Sequence, residues 1–461
     1  MLARARDPES LRPALEEWLR RKMPEVSELR VVSLRRPGAG LSNETLLLDV
    51  EVEKKGKAEP RALVLRLEPA EFGVFPEYDL GRQFRILRCL EGTDVPVPRA
   101  LWFEPDPSVV GSPFYVMERV EGEIPSEVPP YHTAGFCVEA SPDRRARLWW
   151  AGIDAMAHIH TLDWRRSGLD FLDVPPPGRD ALLREVHRYR RYLEWARGGT
   201  PQPVLERALD WLEENAFSPE CIALCWGDAR LPNLVFREDR VVAVLDWEMA
   251  FLGDPEADLL WWIVLDELNS EGYGFPRLAG FPGKDETIRG YEERTGRKVR
   301  HAEYYEVFAA LRFGAIMARI ARRMKELGVP TPSPDFETNN PCTQHLARLL
   351  GLPPPGEARA RFDPGRGTAR IQFHLEGESG RSWYLVARAG QVERREGTCE
   401  SPDATLRASV EDWEAIRRGE LDRTQAFLSG RIRVEGDLSL FMQFEEAIER
   451  LEREATEKPR G

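Results

Sequence analysis

Asp228, Asn233 and Asp246 lie among strand-forming apolar residues near the middle of the sequence, within residues 224–258, which read LCWGDARLPNLVFREDRVVAVLDWEMAFLGDPEAD. Asp228 and Asn233 are five residues apart, and Asp246 follows on the next predicted strand, after the turn at REDR. Two carboxylates and a carboxamide at strand ends are suited to bind a hard divalent cation and to accept a proton. Phosphoryl transfer uses such a set, because Mg²⁺ neutralises phosphate charge and one carboxylate receives the proton of the attacking hydroxyl.

The elements around this stretch are predicted to form two lobes and a further domain. Apolar spacing predicts helices at 8–23 and 77–91 with strands between and after them, and mainly helices from about residue 141. A segment rich in Pro and Gly predicts a linker, followed by strands and amphipathic helices. We therefore predict an α+β protein with a β-rich N-terminal lobe at 1–120, a helical lobe at 121–351, a linker at 352–366 and an α+β C-terminal domain at 367–461.

The composition of the 461-residue chain limits the classes of protein it can be. Charged residues make up 31% and hydrophobic residues 42%, as in soluble globular proteins. A net charge of −13 argues against a protein built mainly to hold nucleic acid. The N-terminus lacks the apolar core of a signal peptide, no apolar run is long enough to span a membrane, and the six scattered cysteines fit reduced thiols. We therefore expect a cytoplasmic protein without an integral membrane segment, and the sequence does not indicate its oligomeric state.

Several motifs in a fixed order carry a family resemblance. WGDARLPN followed by VLDWE resembles the catalytic loop and metal-binding aspartate of the aminoglycoside phosphotransferase and choline kinase-like superfamily, and the flanking LGDPEADLLWW strengthens the match. The resemblance covers about residues 30–345 and looks closest to the branch that is fused to some acyl-CoA dehydrogenases. It implies a protein-kinase-like bilobal fold and an ATP- and Mg²⁺-dependent transfer of phosphate to a hydroxyl.

Position by position, the resemblance implies roles for four residues of the central stretch. Asp228 matches the catalytic base, and Asn233 and Asp246 match the Mg²⁺ ligands. Asp258 matches an acid that braces the catalytic loop. The structural alternative is that the first three are turn residues at strand ends, where their side chains accept backbone N–H groups.

Other residues near the matched base depart from the family pattern or have two interpretations. Trp226 stands where the loop motif usually begins with a histidine that organises the loop, and we expect the indole to pack in its place. Arg230 is a candidate for contact with phosphate or substrate, and a surface salt bridge is nearly as good an interpretation. His158 and His160 are spaced to point to different faces of a helix and lack a third ligand, so packing or loop bracing is expected rather than a metal site.

The N-terminal lobe would supply the nucleotide half of the site. The turn PGAGLSNET lies where the superfamily covers the phosphates. Gly38 and Gly40 allow close approach of the backbone. Ser42 and Asn43 can present N–H groups to phosphate oxygens. A glycine turn in a hairpin is common and by itself does not indicate a phosphate site. It supports one here because it precedes the strand ALVLRLEP.

Arg66, in that strand, stands where kinases usually place the phosphate-binding lysine, and a guanidinium also pairs with phosphate. Its expected partner on the following helix is Gln83 instead of a glutamate, which predicts a guanidinium–carboxamide pair and a more positive site. The segment VMERVEG resembles the hinge, where backbone groups of Glu118 to Val120 would contact the adenine.

The C-terminal part resembles a second family. PDATLRASVEDWEAIRRGELDRTQAFLSGRIRVEGD is similar to the type-2 sterol-carrier-protein domain, and the match spans about residues 362–455. That family encloses an apolar tunnel for acyl chains, acyl-CoA or other lipids. The candidate tunnel residues, each of which has ordinary core packing as its alternative, are Phe427, Leu428, Leu440, Phe441 and Phe444.

The residues and both resemblances together predict a small-molecule kinase. ATP is the expected co-substrate, with GTP as the alternative, and Mg²⁺ is the expected metal. Because a lipid-binding module is attached, the expected acceptor is a hydroxylated acyl or other lipid-like compound, including a CoA thioester, and an aminoglycoside is the alternative. The competing class is a non-catalytic nucleotide- or lipid-binding scaffold with a degenerate kinase lobe, which Arg66, Gln83 and Trp226 favour.

Overall fold

The structure of the chain is a computed structural model. The residues that it describes are 7–37, 44–69, 73–329, 331–333, 335–355, 368–377, 380–388, 391–418, 426 and 431–436. Among these residues, no helix combines the length and the apolar character that crossing a membrane requires.

The N-terminal lobe is an antiparallel sheet with two helices. Its elements are α1 (Pro8–Lys22), β1 (Glu28–Arg35), β2 (Glu44–Lys54), β3 (Lys57–Leu67), α2 (Leu80–Leu90), β4 (Ala100–Glu104) and β5 (Phe114–Glu118). The strand order is β1-β2-β3-β5-β4, and every neighbouring pair is antiparallel. The Asp7 side chain begins α1 by accepting the N–H of Glu9. Trp18 of α1 and Phe114 of β5 lie in the core of this lobe, with ring centroids 4.7 Å apart.

The predicted phosphate-binding arginine lies near the end of β3. The residues directly opposite Arg66 in the neighbouring strands are Thr45 on β2 and Tyr115 on β5. Because residues that lie opposite each other in an antiparallel sheet point to the same face, these three side chains share one face. Helix α2 packs against this region, and its Phe84 ring lies 6.3 Å from the Tyr115 ring, centroid to centroid.

The helical lobe packs a buried helix of 13 residues against a helix of 25 residues. Its elements are α3 (Phe136–Glu139), α4 (Pro142–Thr161), α5 (Asp180–Arg197), α6 (Pro203–Glu214), β6 (Ala223–Cys225), β7 (Leu234–Arg237), β8 (Arg240–Val244), β9 (Phe251–Gly253), α7 (Glu256–Leu268), α8 (Lys284–Thr295), α9 (Ala302–Glu326) and α10 (Pro341–Leu349). Every residue of α7 except Glu267 is buried, including the acidic residues Glu256, Asp258 and Asp266. Helix α7 packs against α9.

Two antiparallel ribbons hold the polar stretch within this lobe. Strand β6 pairs with β9, and β7 pairs with β8. In the turn between β7 and β8, Glu238 and Asp239 both have positive φ, 51° and 60°, as a type I′ hairpin turn requires. Arg144 and Arg147 of α4 bind the Asp239 carboxylate at 2.7 and 3.0 Å. The hairpin that precedes Asp246 is therefore fixed to the helical lobe.

The C-terminal domain is a mixed sheet with its own core. Its described elements are β10 (Thr368–Glu376), β11 (Arg381–Arg388), β12 (Gln391–Glu396), β13 (Ala404–Ser409), α11 (Val410–Arg417) and β14 (Ile432–Gly436). The strand order is β12-β11-β10-β13-β14, with β10 and β13 parallel. The stacked rings of Phe373 and Trp383, 5.0 Å apart, pack with Trp413. The predicted tunnel residues Phe427, Leu428, Leu440, Phe441 and Phe444 lie outside the described residues, so the tunnel stays a prediction.

Candidate active site

The loop between β6 and β7 passes very close to the chain that follows Asp246. It begins at Trp226 and ends in one turn of 3-10 helix, Leu231–Asn233. Gly227 has a φ of +90°, and a Cβ added there would lie 2.1 Å from the carbonyl oxygen of Met249. Only glycine fits this position, because other residues rarely adopt such a φ and their Cβ would overlap the carbonyl.

We expect Gly227→Ala to lower the free energy of unfolding by about 3–4 kcal/mol. Two costs add together: the strain of an alanine in left-handed backbone and the displacement of the Met249 backbone. The matched control is Gly56→Ala in the β2–β3 turn, where φ is +74° but no atom lies within 4 Å of an added Cβ. There the strain alone is expected to cost about 1–2 kcal/mol. Denaturant unfolding measures both values, and equal losses at the two positions would contradict the close approach.

Asp258, a fully buried residue of α7, holds the backbone of this loop. Its Oδ1 accepts the N–H of Gly227 at 2.9 Å, and its Oδ2 accepts the N–H of Trp226. The Nε2 of His160 lies 3.1 Å from the same Oδ2, and its Nδ1 lies 2.8 Å from the Tyr291 hydroxyl. Both ring nitrogens of His160 are therefore engaged within the protein, and neither is available to a metal.

Trp226 is completely buried and joins the loop to the chain on both sides of Asp246. Its indole Nε1 donates to the carbonyl of Leu245 at 2.7 Å. Its ring packs against Trp247, with centroids 6.3 Å apart. The indole thus links the two segments that carry the predicted base and a predicted metal ligand.

The residue Asp228 is 8% exposed, and its carboxylate accepts three N–H groups. Trp261 Nε1 donates to Oδ1 at 3.0 Å. Arg230 Nε and Asn233 Nδ2 donate to Oδ2 at 2.9 and 2.7 Å. Three donors on different side chains hold the carboxylate in a single orientation.

Asn233 is buried and lies between the loop and the strand that precedes Asp246. Its Nδ2 donates to the backbone carbonyl of Asp228 at 3.0 Å as well as to the carboxylate. Its own backbone carbonyl accepts the N–H of Leu245 at 2.9 Å. Because the carboxamide nitrogen faces Asp228, its oxygen faces away, and no hydrogen bond from a described residue reaches that oxygen.

Asp246 connects the two lobes through Arg66. Its φ of +54° lies in the left-handed region, which Asp and Asn tolerate better than most residues. Its Oδ1 forms an ion pair with Arg66 Nη2, and Arg66 Nη1 donates to Thr45 Oγ1 at 2.9 Å. Burial would lower the pKa of Arg66, but the negative groups around it, with Asp246 first, raise the pKa above its ordinary value. The guanidinium is therefore a permanent positive charge beside Asp246.

The predicted pairing of Arg66 with Gln83 is wrong. The partners of Arg66 are Asp246 and Thr45, because a carboxylate is a stronger partner for a guanidinium than a neutral carboxamide. Gln83 is buried, and its Oε1 accepts a long hydrogen bond of 3.4 Å from the Tyr115 hydroxyl. Burial raises the pKa of Tyr115 to about 12, so its hydroxyl is a donor at neutral pH.

Arg230 forms salt bridges inside the protein. Its Nη1 lies 2.7 Å from Glu127 Oε1, and its Nε lies 2.9 Å from Asp228 Oδ2. The segment that carries Glu127 is fixed to β7 by a backbone bridge between Glu123 and Phe236. Burial would lower the pKa of Arg230, but the carboxylates of Asp228 and Glu127 raise it. The salt-bridge interpretation thus describes this structure, and a phosphate or substrate contact stays a prediction.

The other predicted nucleotide contacts lie on the N-terminal lobe. Glu118 ends β5, and its N–H donates to the carbonyl of Arg99 at 3.0 Å. Val120 follows, and no hydrogen bond between described residues uses its N–H. The predicted phosphate turn, with Gly38, Gly40, Ser42 and Asn43, lies outside the described residues.

Trp261 and Arg312 contact the predicted loop but were not among the predicted site residues. Trp261 stands in the apolar run LLWWIV and is 1% exposed, but its indole N–H reaches Asp228. Arg312 of α9 is equally buried, and its Nη2 donates to the carbonyl of Gly227 at 2.6 Å. A lone arginine in the apolar run VFAALRFGAIM was the available signal, since a buried charge needs partners.

Family models match both parts of the chain. The model of the phosphotransferase enzyme family matches residues 33–303. The model of the SCP-2 sterol transfer family matches residues 346–449.

Curated relatives match the first part. The chain is 30% identical to acyl-CoA dehydrogenase family member 10 of Mus musculus over 302 residues, which are 63% of this chain and 27% of the relative. It is 32% identical to acyl-CoA dehydrogenase family member 11 of Gallus gallus over 251 residues, which are 53% of this chain and 30% of the relative. The chain therefore spans less than a third of the length of these two relatives.

The chain has a fold similar to that of a solved structure from Ralstonia eutropha. That protein is described as an aminoglycoside phosphotransferase assigned without functional proof. The match has a TM-score of 0.55 and 26% identity, and it covers 74% of this chain and 98% of that one. With the family models, it confirms the predicted α+β class and the kinase-like bilobal fold.

Proposed function

Because the chain belongs to the phosphotransferase enzyme family, we propose that it transfers a phosphoryl group from ATP to a hydroxyl of a small molecule. Asp228 is the proposed base, and Asn233 and Asp246 are the proposed Mg²⁺ ligands. Arg66 is the proposed phosphate contact. The observation that carries the proposal is that these groups contact one another in pairs. Asn233 donates a hydrogen bond to Asp228, and Asp246 forms an ion pair with Arg66.

The oxygens at this site fit Mg²⁺. Asn233 has a carboxamide oxygen that the described residues leave unused, and the Asp246 side chain is 26% exposed. Among the described residues, no group of three or more His, Cys, Asp and Glu forms a cluster that could hold a metal ion. Asn233 and Asp246 would supply two oxygens, and water and phosphate oxygens would complete the six that Mg²⁺ prefers. When bound, the ion would neutralise charge on the transferred phosphate.

The chain's own residues orient the acceptor and the phosphates. Asp228 would align the acceptor hydroxyl and take its proton, and its three N–H donors support this role because they fix its orientation. Arg66 would bind phosphate oxygens through a guanidinium that does not deprotonate. The Glu118 carbonyl and the Val120 N–H are the proposed adenine contacts.

The proposed acceptor is a hydroxylated acyl or other lipid-like compound, including a CoA thioester. The names of the curated relatives and the SCP-2 match support this class, and the C-terminal domain is proposed to bind such a lipid. An aminoglycoside is the alternative acceptor, which the name of the similar solved structure supports.

A non-catalytic scaffold is the second candidate function. The ion pairs of Arg66 with Asp246 and of Arg230 with Asp228 satisfy both acidic groups without a metal. A degenerate kinase lobe that only supports a lipid-binding domain would have this property.

A thermal-unfolding measurement with ATP separates the two candidates. For the enzyme, we expect ATP to raise the unfolding temperature only when Mg²⁺ is present, with a stabilisation of about 2.7 kcal/mol at 100 times the Kd. Asp246→Asn should abolish this effect, because it weakens a proposed metal ligand while keeping a residue type that tolerates φ +54°.

The matched control is Asp239→Asn. Asp239 also has left-handed backbone, with φ +60°, and it also pairs with arginines. This variant should unfold at a lower temperature without ligand but keep the full Mg²⁺-dependent increase. An increase with ATP that needs neither Mg²⁺ nor Asp246 would support the scaffold instead.

A further inference from the structure

The two carboxylate oxygens of Asp228 are unequally occupied. Oδ2 accepts hydrogen bonds from Arg230 and Asn233, whereas Oδ1 accepts one, from the indole of Trp261. Each carboxylate oxygen has two acceptor positions. Both positions on Oδ2 are therefore filled, and one position on Oδ1 is open.

We infer that Trp261 is a positioning residue for the reaction, an inference that rests on the proposed function. Its N–H fixes the rotation of the Asp228 carboxylate, so that the open position of Oδ1 is the one that receives the acceptor hydroxyl. The hydroxyl proton moves to Oδ1 as the hydroxyl oxygen forms its bond to the γ-phosphorus. The bond from that phosphorus to the bridging oxygen breaks, and ADP leaves with the electron pair.

A buried guanidinium holds the indole in this position. The guanidinium carbon of Arg312 lies 4.3 Å from the centroid of the Trp261 ring, and its Nη2 donates to the carbonyl of Gly227. One side chain thus contacts both the indole and the loop that carries Asp228. The Nε and Nη1 of Arg312 have no hydrogen-bond partner among the described residues. Three further rings within 6.0 Å of the guanidinium belong to Tyr189, Phe251 and Phe308.

A charge with so few polar contacts is costly to bury, and an apolar side chain would fill the same space. Cation–π contact with the surrounding rings offsets part of that cost, and it is strongest when the ring is a tryptophan. The arrangement therefore favours one position of the indole plane, in which Nε1 points at Asp228.

The next residue, Trp262, is a control built into the same helix. It is 2% exposed and packs against Trp149 with ring centroids 5.2 Å apart. Its Nε1 has no hydrogen-bond partner among the described residues. Substitution by Phe removes the same ring area at both positions, but only at Trp261 does it remove a donor to the proposed base.

The test measures phosphate release from MgATP, with water as the acceptor, for the full chain and its variants. We expect Trp261→Phe to lower kcat by about 10- to 100-fold, the effect of losing one hydrogen bond to a charged group. The KM for MgATP should stay unchanged, because the indole contacts the base and not the nucleotide. Trp262→Phe should leave kcat unchanged, even where both variants unfold at a lower temperature.

Two results would overturn the inference: an unchanged kcat in Trp261→Phe, or equal losses in both variants, which packing alone would explain. Failure of the proposed function is a different result: the wild-type protein would then show no turnover that depends on Asp228, as judged by Asp228→Asn. That result would overturn both the proposed function and the inference about Trp261. If Trp261→Phe does not fold, Arg312→Lys replaces it, because an ammonium keeps the charge but cannot stack on the indole as a planar group. Arg312→Lys is then expected to lower kcat at constant KM, and an unchanged kcat would count against the inference.

Discussion

Asp228→Asn is expected to lower the rate of phosphate transfer by about 10²- to 10⁴-fold, the usual contribution of a general base. The carboxamide has the shape of the carboxylate but cannot take the proton of the acceptor hydroxyl. The affinity for MgATP should change little, because the proposed metal and phosphate contacts belong to Asn233, Asp246 and Arg66. Steady-state kinetics measure the first quantity, and calorimetric titration with MgATP measures the second.

The unfolding temperature must be measured with the activity, because three N–H donors face the Asp228 carboxylate. An asparagine at position 228 would turn its side-chain NH₂ group toward at least one of these N–H donors, which lowers stability. The control is Asp210→Asn on α6, where the side chain is 52% exposed and lies 2.9 Å from Arg190. This change should leave turnover unaffected. Near wild-type turnover in a folded Asp228→Asn protein would show that the base is another group.

Asp258→Asn is expected to lower the free energy of unfolding by about 3–5 kcal/mol, the range for breaking a buried charged network. The carboxylate accepts the backbone N–H groups of Trp226 and Gly227 and contacts His160. An asparagine offers one acceptor oxygen, so its amino group would face at least one of these donors in a site without any solvent exposure. Because the loop that carries the proposed base loses its attachment, turnover should fall as well. Urea unfolding monitored by tryptophan fluorescence measures the loss of stability.

Asp254→Asn is the matched control for Asp258→Asn, and it has a pH dependence of its own. Burial raises the pKa of Asp254 from 3.8 to about 7. Between these values the folded protein holds a proton on Asp254 that the unfolded chain releases, so the contribution of this one group to stability falls as pH rises from about 4 to 7. Asp254→Asn should remove this loss and be at least as stable as the wild type at about pH 8. A variant that is less stable there would show that an interaction of the ionised carboxylate outweighs burial.

Much of the fold was predictable because its local signals agree. The helix predicted at 8–23 is α1, Pro8–Lys22, with an aspartate cap and apolar residues at helical spacing. The helix predicted at 77–91 is shorter, because the Asp79 side chain accepts the N–H of Arg82 and so begins α2 at Leu80. Boundaries of this kind depend on which of several possible caps is used.

Motifs in the sequence were enough to propose the members of the candidate site, but not to predict their contacts. Asp228, Asn233 and Asp246 stand in motifs whose spacing is local, and the short ribbons around them bring them together. The partner of Arg66 is Asp246, 180 residues further along the chain, and not Gln83 on the adjacent helix. That choice depends on how the two lobes face each other, which no local pattern reports.

Trp261 shows the same limit at the level of one atom. Its apolar surroundings predict burial, and it is buried. The direction of its indole N–H depends on α9 and on the guanidinium of Arg312, so the pattern of α7 alone could not indicate the contact with Asp228. Trp226 is a parallel case. Its indole N–H donates to the Leu245 carbonyl, and this hydrogen bond depends on the path that the chain takes between the two residues.

The most direct test of the proposed phosphotransferase activity is ADP release from MgATP with three panels of acceptors. The panels are hydroxyacyl-CoA thioesters, hydroxylated free lipids and aminoglycosides, each assayed with the wild-type protein and with Asp228→Asn. We predict that a hydroxylated acyl compound stimulates ADP release by the wild-type protein and that Asp228→Asn abolishes the stimulation. ADP release that no acceptor stimulates, or stimulation that persists in folded Asp228→Asn protein, would contradict a phosphotransfer reaction with Asp228 as its base.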